Sequence, residues 1–550
     1  MMAGTRLQPR FVLLVVSMLI VLTGSAFVAS PNLSLRASLD TPPGPDRYAA
    51  ILVDYTKYTW WMARFDNRQL ACEIIVDHEG LPTVNEVYTE CGEDIADEWF
   101  DQELCTETKS KDCDGYYFYL VNSVPAQREV AVELPEAKAW VNLEDCSPLT
   151  SISTNLCESM PLLVITGEEP LPNEEITGIG GLIDGQPFTC NDPCHIRLAP
   201  TDENGVTVEF WAYSSYGDSS ETFTAQVRVA EDNEGNPDQT YIYVDVLSSQ
   251  WVGTPVASCA ESWDSFPPVG GPPFWLTTPK RAEDLNTDIP YNYLAANLIS
   301  AGVVDASSCD NGGLLYDDYG ANACGQEIAR PDVIEWQNRF DSLILDVARE
   351  TSVPAQMLKA LFARESQFWP ALFHNSDLGL GQLTEDGADT TLLWNSSFFD
   401  QFCPLVLPGD RCEKGYLHIT DEEQEHLRLG LINTVNATCQ DCPLGIDLSQ
   451  ADFSVSIFGH TLLANCEQAG RIVRNVSGTV PGKITSYEDL WKFTLVNYNA
   501  GPGCLGEAVQ ATQDKDEPLQ WEFVSANLNG ICSVAADYVD DISTQLEQAK

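Results

Sequence analysis

Basic residues are scarce in this chain of 550 residues: 29 Lys and Arg stand against 82 Asp and Glu, a formal net charge of −53. A surface of that sign is repelled by nucleic-acid phosphates and anionic lipid headgroups, which removes nucleic acid as a partner and disfavours lipid surfaces. The acidity suits solubility in a salty or cation-rich exterior, and a patch that gathers metal ions or basic peptides is the narrower alternative. Histidine is rare too, six in all. Cys190/Cys194 and Cys439/Cys442 lack a second pair at finger-like spacing, so disulfides are expected there rather than zinc. The acidic turn at 231–238 lacks the spacing of an EF-hand loop and reads as a plain hairpin. No metal and no cofactor are expected. Long apolar runs are almost absent, which excludes a multi-pass membrane protein, and no internal repeat points to a solenoid.

The one such run is residues 11–29, 19 residues without a charge, preceded by Arg6 and Arg10. Small residues Gly24, Ser25 and Ala26 suit signal cleavage, and the length also suffices to span a bilayer. Residues 1–30 therefore read as a signal peptide or a single membrane anchor, with everything after them outside the cell. Eighteen cysteines, from Cys72 to Cys532, fit an oxidising exterior and are even in number.

Composition divides the rest. Residues 31–45 form a polar linker, and 46–160 an acidic, cysteine-containing domain of no recognised type. That domain is expected to hold a helix over 49–65 and short extended runs at 129–134 and 139–143. Its paired Trp60 and Trp61 suit a core or a domain contact. Residues 161–250 alternate apolar and polar at 206–213, 222–229 and 240–246, with turn clusters between, as in an antiparallel sandwich. The segment resembles a bacterial immunoglobulin-like domain at the level of pattern. Residues 251–330 read as a Pro/Gly-rich linker and irregular segment, with Cys309 and Cys324 bridged.

From residue 331 to the C-terminus the periodicity is helical. Val333, Trp336, Phe340, Leu343, Ile344 and Val347 mark one buried face, ending near Thr351 ahead of Pro354. Ser352 is a candidate N-cap for a second helix over 354–366. Met357, Leu358, Leu361 and Phe362 form that helix's apolar face, and Glu365 projects from it. Desolvation there favours a neutral carboxyl, which is what a general acid needs near neutral pH. On periodicity alone, a partly exposed helix-end glutamate, paired with Arg364 or capping, is the better account.

Three motifs shift the balance: Glu365-Ser-Gln-Phe-Trp-Pro, then Gly379-Leu-Gly-Gln-Leu-Thr, then Asn497-Tyr-Asn-Ala-Gly-Pro-Gly503. Together they resemble the catalytic domain of the soluble lytic transglycosylases, which share a lysozyme-like α fold. The resemblance covers 331–550 and implies a multidomain protein, with an all-β immunoglobulin-like sandwich followed by an α-helical lysozyme-like domain. It implies peptidoglycan glycan strands as substrate and Glu365 as the acid/base at the bond between N-acetylmuramic acid and N-acetylglucosamine. It further implies that Gly379 and Gly381 bring the backbone close to the sugar, that Gln382 and Asn499 bind substrate, and that Tyr498 lies near the glutamate. Departures exist. The interval from Glu365 to Gln382 is slightly short, Gly381 stands where methionine is common, and Ser376 is the nearest stand-in for the usual loop serine. A long insertion at 395–449 carries Cys403, Cys412, Cys439 and Cys442, suiting a lid or braced rim.

Two other functions compete. A hydrolase of the same fold, resembling goose-type lysozymes, needs a second carboxylate about 6.5–9.5 Å from the first if inverting, for which Asp377, Glu385, Asp386 and Asp389 are candidates. A non-catalytic cell-surface protein would use the sandwich to work and the helical domain only to grip glycan.

Overall fold

The computed structural model describes residues 47–102, 115–148, 154–232, 240–253, 258–316, 319–370 and 378–544. The expected leader at 1–30, the linker at 31–45, most of the acidic turn at 231–238, and Ser376 and Asp377 lie outside them. β structure occupies roughly the first half of the described chain and helices the second.

The helix expected over 49–65 is a strand, β1 (Tyr48–Arg64). Ile51, Val53, Tyr55, Tyr58 and Trp60 are residues that fit a pleated surface, and β1 finds partners on both sides. β2 (Leu70–Val76) pairs with its second half, and β3 (Tyr116–Glu133) pairs antiparallel along its whole length. Pro125 is tolerated because β3 is an edge strand of this sheet. Helices α1 (Val84–Cys91) and α2 (Glu93–Phe100) cover a small core of Met62, Ile74, Val76, Val87, Ala96 and Tyr116. Trp60 packs against that core, whereas Trp61 is 39% exposed and donates to Glu73 Oε2.

The sandwich begins earlier than composition suggests. β4 (Lys138–Pro148) and β5 (Thr154–Glu168) pair along their length, so the boundary falls near 135, not 160. The first part of β5 pairs with β11 (Tyr241–Leu247) and its last part with β8 (Cys194–Arg197). The remaining strands are β6 (Ile176–Ile183), β7 (Gln186–Cys190), β9 (Val206–Ser214) and β10 (Phe223–Asp232), and neighbours pair antiparallel in the order β4-β5-β11-β10-β9-β6-β7. Val208, Phe210, Ala225, Val227, Val229, Val244 and Val246 form its core, the inward positions of the three alternating runs.

One arginine ties the first sheet to the sandwich. Arg47, 2% exposed, donates to both oxygens of Glu169, both oxygens of Asp218 and the carbonyl of Pro135, which uses all five of its N–H groups. Burial alone would raise the Glu169 carboxyl, but Arg47, the Ser214 hydroxyl and the Leu171 amide outweigh it and hold it at about 2.

The segment 258–330 is not a spacer. Trp263, Phe266, Trp275, Leu276 and Leu285 enter the same core as the C-terminal helices, and Cys259 is bridged to Cys466, 207 residues away. α3 (Asn292–Ser300) lies within it, and the Cys309–Cys324 bridge is present. α4 (Ala323–Asn338) starts before 331, and the first expected helix is two: α5 (Asp341–Thr351) follows a break at Arg339 and Phe340. Ser352 is not an N-cap. It takes a left-handed conformation and closes α5, while Pro354 precedes α6 (Ala355–Ser366). Further on come α7 (Glu385–Trp394), α8 (Ser396–Val406), α9 (Asp421–Val435), α10 (Leu448–Ser477), α11 (Tyr487–Asp514) and α12 (Val534–Thr544).

Bridges join Cys190 to Cys194 and Cys439 to Cys442, and no described cysteine is free. The insertion at 395–449 is braced by the latter and by Cys403–Cys412. Eight bridges among the described residues fit an oxidising environment. Among the described residues no helix is long and apolar enough to cross a membrane, and no His, Cys, Asp or Glu group is arranged to hold a metal.

Candidate active site

α6 is buried nearly all round. Met357, Leu358, Leu361 and Phe362 are fully enclosed, as the apolar face demands. Lys359 is enclosed as well, its ammonium 2.7 Å from Asp341 and 2.8 Å from the Asn338 side-chain oxygen. Burial raises the Asp341 carboxyl to about 6 and lowers Lys359 to about 8, each shift partly offset by the other's charge. Only the last turn of α6 approaches solvent. There Arg364 turns outward to Asp541 at 2.9 Å, not to Glu365, and Glu365 is half-buried.

The residues after Glu365 anchor this turn. Ser366 donates to the Leu380 carbonyl at 2.7 Å, which pins the loop 378–383 against the helix end. Gln367 and Phe368 take left-handed conformations that end α6. The Gln367 side chain accepts from the amides of Tyr293 and Leu294 at the start of α3. Phe368 is fully buried against Tyr291, and Trp369 packs on Trp336 with ring centres 5.2 Å apart.

Two tyrosines converge on the glutamate. Tyr538 of α12, 2% exposed, donates to Glu365 Oε1 at 2.5 Å. Tyr498 of α11 donates to the Gly381 carbonyl at 2.6 Å. Burial, and then the Glu365 charge, hold both phenols well above the ordinary tyrosine value, so both are hydrogen-bond donors at neutral pH.

The third motif sits on a helix break. Gly501 leaves helical geometry at φ 81°, a conformation that favours glycine, and Pro502 restarts the helix at a position where a missing N–H costs nothing. The break opens one wall of a cleft of about 280 Å³, lined by Asn499, Ala500, Gly501 and Pro502 on this side. Gln382, Thr384 and Asp386 line the other, with Asn465 and Asn497 also at its surface.

Two buried side-chain oxygens on this cleft have no hydrogen-bond partner: Gln382 Oε1 and Asn497 Oδ1. Their orientations are set by the nitrogens. Gln382 Nε2 donates to the Gly379 carbonyl at 2.7 Å, and Asn497 Nδ2 donates to Asn465 Oδ1 at 2.9 Å and Gln468 Oε1 at 2.8 Å. Reversing either amide would set nitrogen against nitrogen or oxygen against oxygen. Buried acceptors left open are costly, and both residues line the cleft although these oxygens are themselves enclosed.

Of the predicted site residues, Gln382, Tyr498 and Asn499 line the cleft, and Glu365 adjoins it through Tyr498. Gly379 and Gly381 do not line it. A Cβ on Gly379, at φ 77°, would meet the Val435 carbonyl at 2.8 Å, and one on Gly381 the Phe458 ring at 2.4 Å. They give clearance to the protein's own α9–α10 packing, and the methionine common at the second position has no room. Tyr538 carries no motif, and Asn497 drew notice only as the first letter of one. Of the candidate second carboxylates, Glu385 and Asp389 are engaged by Arg428, Asp389 also accepts from Tyr416, and Asp386 remains in the cleft wall.

No family model matches the chain, and no curated protein matches it.

Proposed function

We propose that this protein is an exported enzyme that cleaves peptidoglycan glycan strands as a lytic transglycosylase, with Glu365 as its single acid/base. On this reading the helical part is a lysozyme-like domain, and the sandwich is immunoglobulin-like and holds it at the cell surface. The supporting observation is the placement of Glu365. It closes a helix buried on all sides, receives a phenol hydrogen bond, and lies next to a polar cleft with two open acceptors.

In the reaction Glu365 gives its proton to the glycosidic oxygen as the bond from that oxygen to C1 of the muramic sugar breaks. The muramic 6-hydroxyl then bonds to C1, and its proton returns to the glutamate. No water is consumed, so one carboxyl that alternates between states suffices. Amide-bearing sugars supply the N–H and O–H groups that Gln382 and Asn497 lack. A hydrolase of the same fold is the second reading, favoured by Asp386, the carboxylate among the described residues that line the cleft.

Incubating the full-length protein with purified peptidoglycan and weighing the released muropeptides tests both. Anhydro ends are expected. Reducing ends would transfer the assignment to the hydrolase, and no release at all would overturn cleavage in either form.

A further inference from the structure

The hydrogen bond from Tyr538 has a consequence for the chemistry proposed above, on which this inference rests. We infer that Tyr538 is a positioning residue for Glu365: its hydroxyl holds the carboxyl by Oε1 and stabilises the carboxylate formed once the proton has left. The donor is well placed for this. Its oxygen is 2.5 Å from Oε1, its ring is almost fully buried on α12, and the Arg364 guanidinium lies over that ring at 5.6 Å.

Two other groups near the carboxyl are engaged elsewhere. Tyr498, facing it from α11, spends its proton on the Gly381 carbonyl. Arg364, on the same helix, is paired with Asp541 of α12, so its charge is partly neutralised. Because burial keeps the Tyr538 phenol protonated far into the alkaline range, the bond persists wherever the enzyme works.

A donor to a carboxylate favours the charged form, so its removal must make Glu365 hold its proton to higher pH. Tyr538→Phe removes one oxygen from a packed ring and keeps its shape. In the full-length protein its alkaline activity limb on peptidoglycan should move up by about 1–2 pH units, the size of a hydrogen bond to a charged group. kcat should fall while KM stays unchanged, because the ring does not line the cleft. A carboxyl titration followed by NMR on ¹³C-labelled glutamate, with Glu365→Gln to assign the signal, gives a readout that needs no turnover. The Glu365 midpoint should rise in Tyr538→Phe. A midpoint and a limb both unmoved in a folded variant would overturn the inference. A midpoint that rises in a protein without any glycan cleavage would support Tyr538's hold on Glu365 and reject the enzymatic reading alone.

Discussion

The sandwich and the helical region treat buried polarity differently. In the sandwich, buried charges are spent on each other: Arg47 uses every donor it has, and buried Arg228 and Asp245 are paired, with Thr154 and the Pro267 carbonyl filling further positions. In the helical region buried Asp341 keeps one oxygen, Oδ2, without a hydrogen bond, the cleft-lining residues Gln382 and Asn497 each keep a buried amide oxygen open, and a lysine is enclosed six residues before the half-buried Glu365. Closed charge networks hold a structure together. Buried charge with an open valence costs stability that a closed network does not.

The comparison can be broken most severely at Arg47. Arg47→Ala leaves two carboxylates facing each other without their cation, and should cost about 3–5 kcal/mol of stability in urea unfolding. The pH dependence should change with it. Glu169 titrates below its unfolded value, so its contribution is present above about 4.5 and lost as pH falls towards about 2. That acid-side loss should vanish in Arg47→Ala. A variant as stable as the parent would show that the clamp is ornamental.

Lys359→Met tests the buried pair under the acid helix and should cost a comparable amount, about 3–5 kcal/mol, at neutral pH. Asp341 titrates above its unfolded value. Its favourable proton is bound fully below about 4 and, with Lys359 present, lost as pH rises through about 6; without the ammonium that lowers it the carboxyl rises further, so the variant's stability should go on falling to higher pH. Adding Asp341→Leu should recover most of the loss, since a packed apolar pair costs less than an unpaired charge. Failure of the double change to recover it would mean the pair is needed for more than neutralisation.

Gln382→Met should separate the two kinds of polarity. It removes one internal hydrogen bond and the open acceptor together, for about 1 kcal/mol of stability. Glycan binding should weaken about tenfold, because the donor on the ligand loses its partner. An unchanged KM would place the substrate elsewhere. The smallest effect belongs to an exposed ion pair such as Arg281–Asp284, where Arg281→Ala should leave the urea midpoint unchanged.

What the sequence made legible follows from how local each signal is. The runs at 206, 222 and 240 alternate cleanly because one face of each strand is buried, and β9, β10 and β11 lie where the pattern puts them. The apolar face of α6 is equally plain, and Glu365 lies on the last turn of that helix. β1 misled because Ala49, Leu52 and Val53 also fit a helical stripe, and its long partner, β3, begins about fifty residues after it ends. The same distance problem hid the start of the sandwich, since β4 reveals its allegiance only through β5. Nothing near Cys259 names Cys466, so a proline-rich stretch that composition marks as a spacer is in fact a stapled part of the helical core. Tyr538 was invisible for a related reason: an amphipathic helix shows which face is buried, not which residue of another helix it will touch. The glycines of the loop were legible as a need for closeness, but closeness to Phe458 and Val435 rather than to a ligand.

The most direct measurement is muropeptide release by the full-length Glu365→Gln protein, whose change of one atom preserves the shape of the site. The account predicts a folded protein whose release of muropeptides is about 10²–10⁴-fold slower than the parent's. Release at the parent's rate would contradict it.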